Sequence, residues 1–387
     1  MRILMLVWTG VATDARVLRE ARALVEAGHT VHIIGRAVPD DFDPGPGITV
    51  GSAGLAPAAQ GRGRRLSAPE RAARWALLPQ HRARRLRAWQ EQALRLARTW
   101  AGDAGVPDVV HVHDFTALEP GVELAREWSV PYVYDTHEYW VGRPVEGRPA
   151  PVALRREARV EDELVAGAAA VVTVGDGVAR ALRRDHPTWP EITVVRNTFP
   201  LSDAAGVASP PAGLVYAGRL ARDRELEVVA AASRRLDLPV TLMGPADAEW
   251  LEGFDPGAAT VEPSAGHDVV DQRLREAGAA LVTHSDRWEN HRLAMPNKLF
   301  HAVAVGVPVV ATDVGELGAL VREHGVGTLY PPGSVDGLVA AVERLRADHP
   351  AFLDAVRGAR AELSWDRDAA ALVRVHRSLG ELRRPLH

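Results

Sequence analysis

Two kinds of residue in this chain carry side chains suited to chemistry. The first kind pairs histidine with acid, in His111-Val112-His113-Asp114 and again in His137-Glu138. Each pair follows a short apolar run that reads as a strand, so the imidazoles stand at strand ends. There a histidine hydrogen-bonds a hydroxyl or accepts a proton near neutral pH. A satisfied structural histidine is the plain alternative, as helix capping is for Asp114 and Glu138. The second kind is cationic. Arg219 follows Gly218 just beyond a strand, where its planar fork can grip phosphate; an exposed salt bridge is the alternative. Lys298 falls in the first turn of a helix that opens at Pro296, whose free N–H groups and positive end make an anion site. It is the only lysine among 46 basic residues, and two of the three asparagines, Asn290 and Asn297, lie close to it. The bias toward arginine suggests a GC-rich genome. A lysine at a helix start is mildly unfavourable unless an anion sits there.

Composition removes other chemistries. There is no cysteine among 387 residues, so thiolate zinc sites, disulfides and cysteine nucleophiles are excluded. No G-x-G-x-x-G follows the first strand and no G-x-x-x-x-G-K-[ST] occurs. Asp41-Phe42-Asp43 lies in a Pro/Gly-rich loop, and Asp366-Arg367-Asp368 reads as the first turn of the last helix. No His/Asp/Glu spacing suggests a metal site, so neither metal nor cofactor is expected. A formal net charge of −4 argues against a nucleic-acid partner. No apolar run reaches the roughly 18 residues of a membrane span. Residues 3–8 are too short for a signal peptide, so a cytoplasmic protein is expected.

The elements that position these residues follow from periodicity. Ile3–Trp8 is a continuous apolar strand, and Val17, Leu18, Ala21, Leu24 and Val25 recur at helical spacing up to Gly28. Further strands read at Thr30–Ile34, Val109–Val112, Tyr132–Tyr134, Ala170–Val174 and Ile192–Val195. After a small-residue, Pro-containing joint at 203–213, strands read at Leu214–Tyr216, Val240–Met243, Ala280–Val282 and Val307–Ala311. Helices are predicted near 225–236, 268–277, 297–305 and 335–346. Two runs of alternating strand and helix predict two doubly wound parallel domains, with the site in the cleft at their strand ends. The boundaries are 1–203 and 204–365, with a last helix over 366–387 packing back on the first domain. Residues 62–98 stand apart, with eleven arginines against Glu70 and Glu91. They read as a solvated helical pair, or as a basic amphipathic surface for anionic lipid or an acidic acceptor.

Several segments carry a family resemblance. They are Thr13–Val31, His111–Asp114, Asp135-Thr136-His137-Glu138, Ala217-Gly218-Arg219-Leu220, Pro296–Phe300 and Ala304–Ala311. In order and strand-end placement the chain, outside roughly residues 40–105, resembles retaining GT-B glycosyltransferases, the family 4-like or "glycosyl transferases group 1" type. The resemblance implies α/β GT-B architecture: two Rossmann-like domains facing across a cleft, the first binding acceptor and the second a nucleotide-sugar donor. It implies transfer of a sugar from a nucleoside diphosphate to an acceptor hydroxyl with retention and without metal. Arg219, Lys298 and Arg224, which falls where the family carries a second cation, would neutralise the leaving diphosphate. His113 would act at the sugar, with Asp114, His137 and Glu138 orienting it or meeting the acceptor. Gly10, Gly218, Asn297, Leu299, His301 and Glu316 would contact the donor, and the base would dock near residues 262–268. For Gly10 an ordinary tight turn is the alternative.

The chain departs from the pattern at one place. The family's two glutamates before the Gly-x-Pro-Val-Val run fall on Leu293 and His301, while Glu289 and Asn297 have the spacing in the wrong register. His301 is then the candidate for a ribose hydroxyl, Glu316 for a carboxylate, and His284, Asp286 and Glu289 form a polar loop nearby. The expected partners are a nucleotide sugar and a small-molecule, lipid or glycan acceptor, with residues 62–98 a candidate peripheral contact with the anionic inner face of the membrane. Two other functions stay open here: a nucleotide-sugar epimerase of the same fold, and a non-catalytic scaffold subunit.

Overall fold

The computed structural model describes residues 1–54, 68–143, 151–202 and 206–382. The chain divides into two units. The first comprises Met1–Val174, Val178–Val195 and Ala369–His387; the second comprises Gly175–Gly177 and Arg196–Asp368. The first unit therefore leaves off at Val195 rather than at residue 203, and residues 203–205 of the joint lie outside the described residues.

The first unit is built on seven parallel strands: β1 (Arg2–Gly10), β2 (Thr30–Arg36), β3 (Ile48–Ser52), β4 (Val109–His113), β5 (Tyr132–Thr136), β6 (Ala170–Thr173) and β7 (Ile192–Val194). They lie in the order β3-β2-β1-β4-β5-β6-β7. Ile3 to Val7 are fully buried, as a strand covered on both faces by helices requires. The helix after β1, Ala15–Glu26, begins where the Asp14 carboxylate accepts from the Val17 amide, and ends before Gly28 at φ +87°.

The second unit holds six parallel strands: β8 (Leu214–Ala217), β9 (Val240–Met243), β10 (Thr260–Glu262), β11 (Ala280–Val282), β12 (Val309–Thr312) and β13 (Gly327–Tyr330), in the order β10-β9-β8-β11-β12-β13. β12 starts after Pro308, not at Val307. Proline has no N–H for the ladder, and the Val307 amide closes the preceding helix on Ala302 O at 2.8 Å. In each sheet the strand order reverses once, at β1/β4 and at β8/β11. In open parallel sheets ligands bind beyond the carboxyl ends of such strands.

The arginine-rich segment is one helix, Ala68–Ala104, not a pair. No glycine interrupts it before Gly102, and Trp89, Ala93, Ala97 and Ala101 form one buried stripe at four-residue spacing. Arg82, Arg84, Arg85, Arg87 and Arg95 stay exposed; residues 62–67 lie outside the described residues. No helix among the described residues is long and apolar enough to cross a membrane.

Candidate active site

In the first unit the switch point is filled by histidine and charge. His111 and His113 lie two apart on β4, so both rings share one face and stack at 4.5 Å. Asp135, opposite His113 in register on β5, is fully buried. Its oxygens accept from Arg16 Nη2 at 2.9 Å, and Arg16 Nε lies 2.9 Å from Glu20. Burial alone would raise the Asp135 pKa, but the Arg16 charge and the imidazoles of His111 and His113 hold it well below the carboxylate range. Burial pushes Glu20 well above that range despite Arg16. The fold thus brings together Glu20, His111, His113 and Asp135, whose ligand atoms lie within 4.8 Å of one another. The Arg16 guanidinium lies against Asp135, while both Glu20 oxygens are buried without a hydrogen-bond partner among the described residues.

The protonation pattern then follows. Burial disfavours charge on His137, but Asp114, 3.2 Å from its Nδ1, and Asp135 together raise its pKa to about 9. Asp114 also accepts from the His137 amide at 3.0 Å, and His137 in turn outweighs burial to hold the Asp114 pKa low. Asp114 therefore orients His137, from a backbone at φ +63° that a non-glycine residue rarely adopts. A doubly protonated His137 donates its Nε2–H to His113 Nδ1 at 3.1 Å. Burial keeps His113 itself neutral; its Nδ1 also lies 3.5 Å from Asp135, and its Nε2 is a buried nitrogen with no hydrogen-bond partner among the described residues. His111 is lowered to about 4 by burial and by His113, and it contacts His376 of the last helix at 3.2 Å.

The second unit gathers cations. Gly218 follows β8, and a Cβ there would come 3.2 Å from Lys298 Nζ; the missing side chain is the space the lysine occupies. Lys298 sits 4.9 Å over the Tyr216 ring, in the first turn of helix Asn297–Val305. Burial and the Arg224 charge lower its pKa to about 7. Arg224, in a turn before the next helix, donates to His284 Nε2 at 3.4 Å. Among the described residues neither Lys298 nor Arg224 is ion-paired to a carboxylate. Arg219 is mostly exposed, with Asp247 3.9 Å away.

A pocket of about 320 Å³ opens here, lined by Gly218, Asn297, Lys298 and His301 together with Phe199, Ser264, Ala265 and His267. A larger hollow of about 820 Å³ in the same unit omits Lys298; its lining sets Glu225, Glu227, Glu249 and Asp255 against Arg222, Arg234 and Arg287. Other expected contacts lie apart from the smaller pocket. Leu299 is fully buried in the core, and its amide is taken by Pro296 O. Glu316 starts the helix after β12 and packs against Gly177, where a Cβ would come 2.5 Å from its Cγ. Gly10 ends β1 at φ −75°, a conformation open to any residue. Glu138 is half-buried, its carbonyl accepting from Thr136 Oγ1 at 2.6 Å. Arg16, Glu20, Asp135, Phe199, Asp271 and His376 were not singled out by the sequence. Arg16 and Glu20, one turn apart on an otherwise apolar face, were the signal that could have revealed the first three.

Comparison with known proteins agrees with this geometry. Residues 10–198 match the family described as Glycosyl transferase 4-like domain, and residues 211–348 match Glycosyl transferases group 1. The chain is a GT-B glycosyltransferase of the family 4-like kind. This glycosyltransferase is 28% identical to a Mycobacterium tuberculosis protein named glycogen synthase, over 95% of its own chain and 91% of the relative. It is 24% identical to the D-inositol 3-phosphate glycosyltransferase of Geodermatophilus obscurus, over 94% and 84%. Its fold is similar to sucrose-phosphate synthase from Thermosynechococcus elongatus (TM-score 0.69, 17% identity, 99% of this chain and 100% of that one). It is also similar to Anabaena Alr3699/HepE, solved in complex with UDP (TM-score 0.66, 14% identity, 98% and 100%).

Proposed function

We propose that this enzyme transfers a sugar from a nucleoside diphosphate to an acceptor hydroxyl, with retention of configuration and with cationic side chains, not a metal, neutralising the diphosphate. The observation that carries the reading is Lys298: a half-buried amine at a helix start, beside Arg224, with no carboxylate partner among the described residues. An anion is what that arrangement lacks. The helix N-terminus, Lys298, Arg224 and Arg219 stabilise charge as it develops on the leaving diphosphate, while Gly218 and Asn297 border it. His113 donates through Nε2–H to a sugar oxygen, and His137, held by Asp114, fixes that tautomer. Glu138 meets the acceptor. His301 contacts the ribose.

Relatives named for glycogen, inositol phosphate and sucrose phosphate span glycan and small-molecule acceptors, so a hydroxyl acceptor is the shared element. The exposed arginines of helix Ala68–Ala104 support peripheral contact with an anionic membrane at a cytoplasmic face. The test is a thermal-shift panel of UDP, GDP and ADP, followed by NMR of the product anomer made from the matching donor sugar in the presence of chelator. We expect at least one diphosphate to raise the melting midpoint and the product to keep the donor's anomeric configuration. No stabilisation by any of the three would overturn the donor reading; an inverted product or chelator-sensitive turnover would overturn retention or metal independence.

A further inference from the structure

Arg224 is held at both ends by one short stretch of chain. Its carbonyl accepts from Thr283 Oγ1 at 2.5 Å, and its guanidinium Nη1 donates to His284 Nε2 at 3.4 Å. Thr283 and His284 follow β11, and both are buried. The His284 amide donates to Thr312 Oγ1 at 2.9 Å, at the end of the neighbouring β12, so the stretch is itself pinned. The His284 ring meets His291 edge-on, with centroids 4.3 Å apart, and His291 Nδ1 lies 2.8 Å from Ser285 Oγ.

The chemistry of the pair follows from its surroundings. Burial, then the charges of His291, Arg224 and Lys298, lower the His284 pKa to about 3 against a smaller opposing contribution from the Ser285 backbone, so the ring is neutral. A guanidinium carries only donors, so Nε2 accepts and the one ring proton is on Nδ1. A carboxylate in that place would accept from Arg224 more strongly, but it would also cancel the charge. A neutral imidazole aims the guanidinium and leaves its charge to meet an anion.

We propose that His284 is a positioning residue for the diphosphate: as an uncharged acceptor it aims Arg224 toward the anion held at Lys298. The inference rests on the nucleotide reading above. Position 284 then has two demands, an acceptor atom and zero charge. An aliphatic side chain fails the first and an acidic one fails the second.

The experiment measures dissociation constants, by calorimetry, of UDP, GDP, ADP and inorganic pyrophosphate. The proteins compared are the unaltered chain, His284→Leu, His284→Gln, His284→Glu, Arg224→Ala, and Arg224→Ala combined with His284→Leu. We expect His284→Leu to weaken the best-bound diphosphate about tenfold, and His284→Gln, whose amide oxygen reaches the place of Nε2, to stay within about twofold of the unaltered protein. His284→Glu keeps an acceptor but adds a charge, and weakens binding at least as much as His284→Leu. On top of Arg224→Ala, His284→Leu costs nothing further, because the imidazole acts through the arginine. Full affinity in His284→Leu or His284→Glu overturns the proposal and leaves the nucleotide reading intact, as does a double variant whose loss is the product of the two single losses. An equal loss in His284→Leu and His284→Gln assigns the ring to packing and also overturns it. Should His284→Leu not fold, imidazole 15N NMR of the unaltered protein decides, with His284→Gln giving the assignment. A proton on Nδ1 with Nε2 accepting is expected; a proton on Nε2 overturns the proposal. Absence of binding by every compound overturns both readings.

Discussion

In the first unit the ionic side chains at the strand ends neutralise one another, whereas in the second Lys298 and Arg224 have no carboxylate partner among the described residues. Arg16 meets Asp135 and Glu20 at 2.9 Å, and His137 meets Asp114 at 3.2 Å, so positive and negative groups close into pairs. Lys298 instead faces the Arg224 charge, close enough that Arg224 adds to the cost of charging Lys298. Paired charges inside a fold hold a shape and a protonation state. Unpaired charges at a strand end and a helix start hold a place for a ligand. The contrast predicts that substitutions in the two units will fail in different ways.

The largest effect is expected from Arg16→Met. It leaves the fully buried Asp135 carboxylate without its counter-ion, a change that costs about 3–5 kcal/mol when one partner of a buried pair is removed. Urea unfolding at pH 7 measures it. A loss under about 1 kcal/mol would mean that the cluster does not depend on Arg16, and the comparison would lose its first half.

Next is Lys298→Ala. Losing one preorganised charge at a developing anion lowers kcat/KM by about 10²–10³-fold. Stability should not fall, because a lysine held near pKa 7 against its usual 10.5 is a burden on the folded state at pH 7. Turnover and urea midpoint together decide the matter. A fall in the midpoint like that of Arg16→Met, with turnover retained, would erase the difference between the units.

Much of this contrast was legible in the chain, but unevenly. Lys298, Gly218 and Arg219 could be placed because each follows a boundary visible in one dimension, a strand end or a Pro-opened helix start. The tandem parallel sheets followed from apolar runs alternating with helical periods. The edge strands β3, β10 and β13 are only partly buried and carry no continuous apolar run to stand out, and the Arg-rich helix runs on through Pro79, which reads as a break. The buried cluster was not legible, since Arg16, His111, Asp135 and His376 meet only after strands pair and the last helix returns. The chain from Asp114 through His137 to His113 is a relation of three side chains that no spacing encodes. Asp271 stayed hidden for the same reason: nothing in residues 267–277 says that its carboxylate will meet His301 at 2.6 Å.

The smallest effect is also the sharpest, because the two units should respond to pH in opposite directions. His137 has a folded pKa of about 9 against 6.5. A raised pKa means that its stabilising contribution is complete below pH 6.5, fades between 6.5 and 9, and is absent above. From the size of the shift the contribution is at most about 3 kcal/mol. Lys298, with a folded pKa of about 7 against 10.5, does the reverse: its penalty is complete below pH 7 and is relieved as pH rises toward 10.5. Burial-raised Glu20 also titrates somewhere above its ordinary range, so total stability mixes several groups. Difference curves separate them. Urea unfolding at pH 6, 7.5 and 9 should show the unaltered protein's advantage over His137→Asn shrinking as pH rises. Its disadvantage relative to Lys298→Ala should shrink over the same range. Two curves of the same sign would mean that one of these side chains is paired otherwise than described: either His137 lacks its clasp with Asp114, or Lys298 has found an acid.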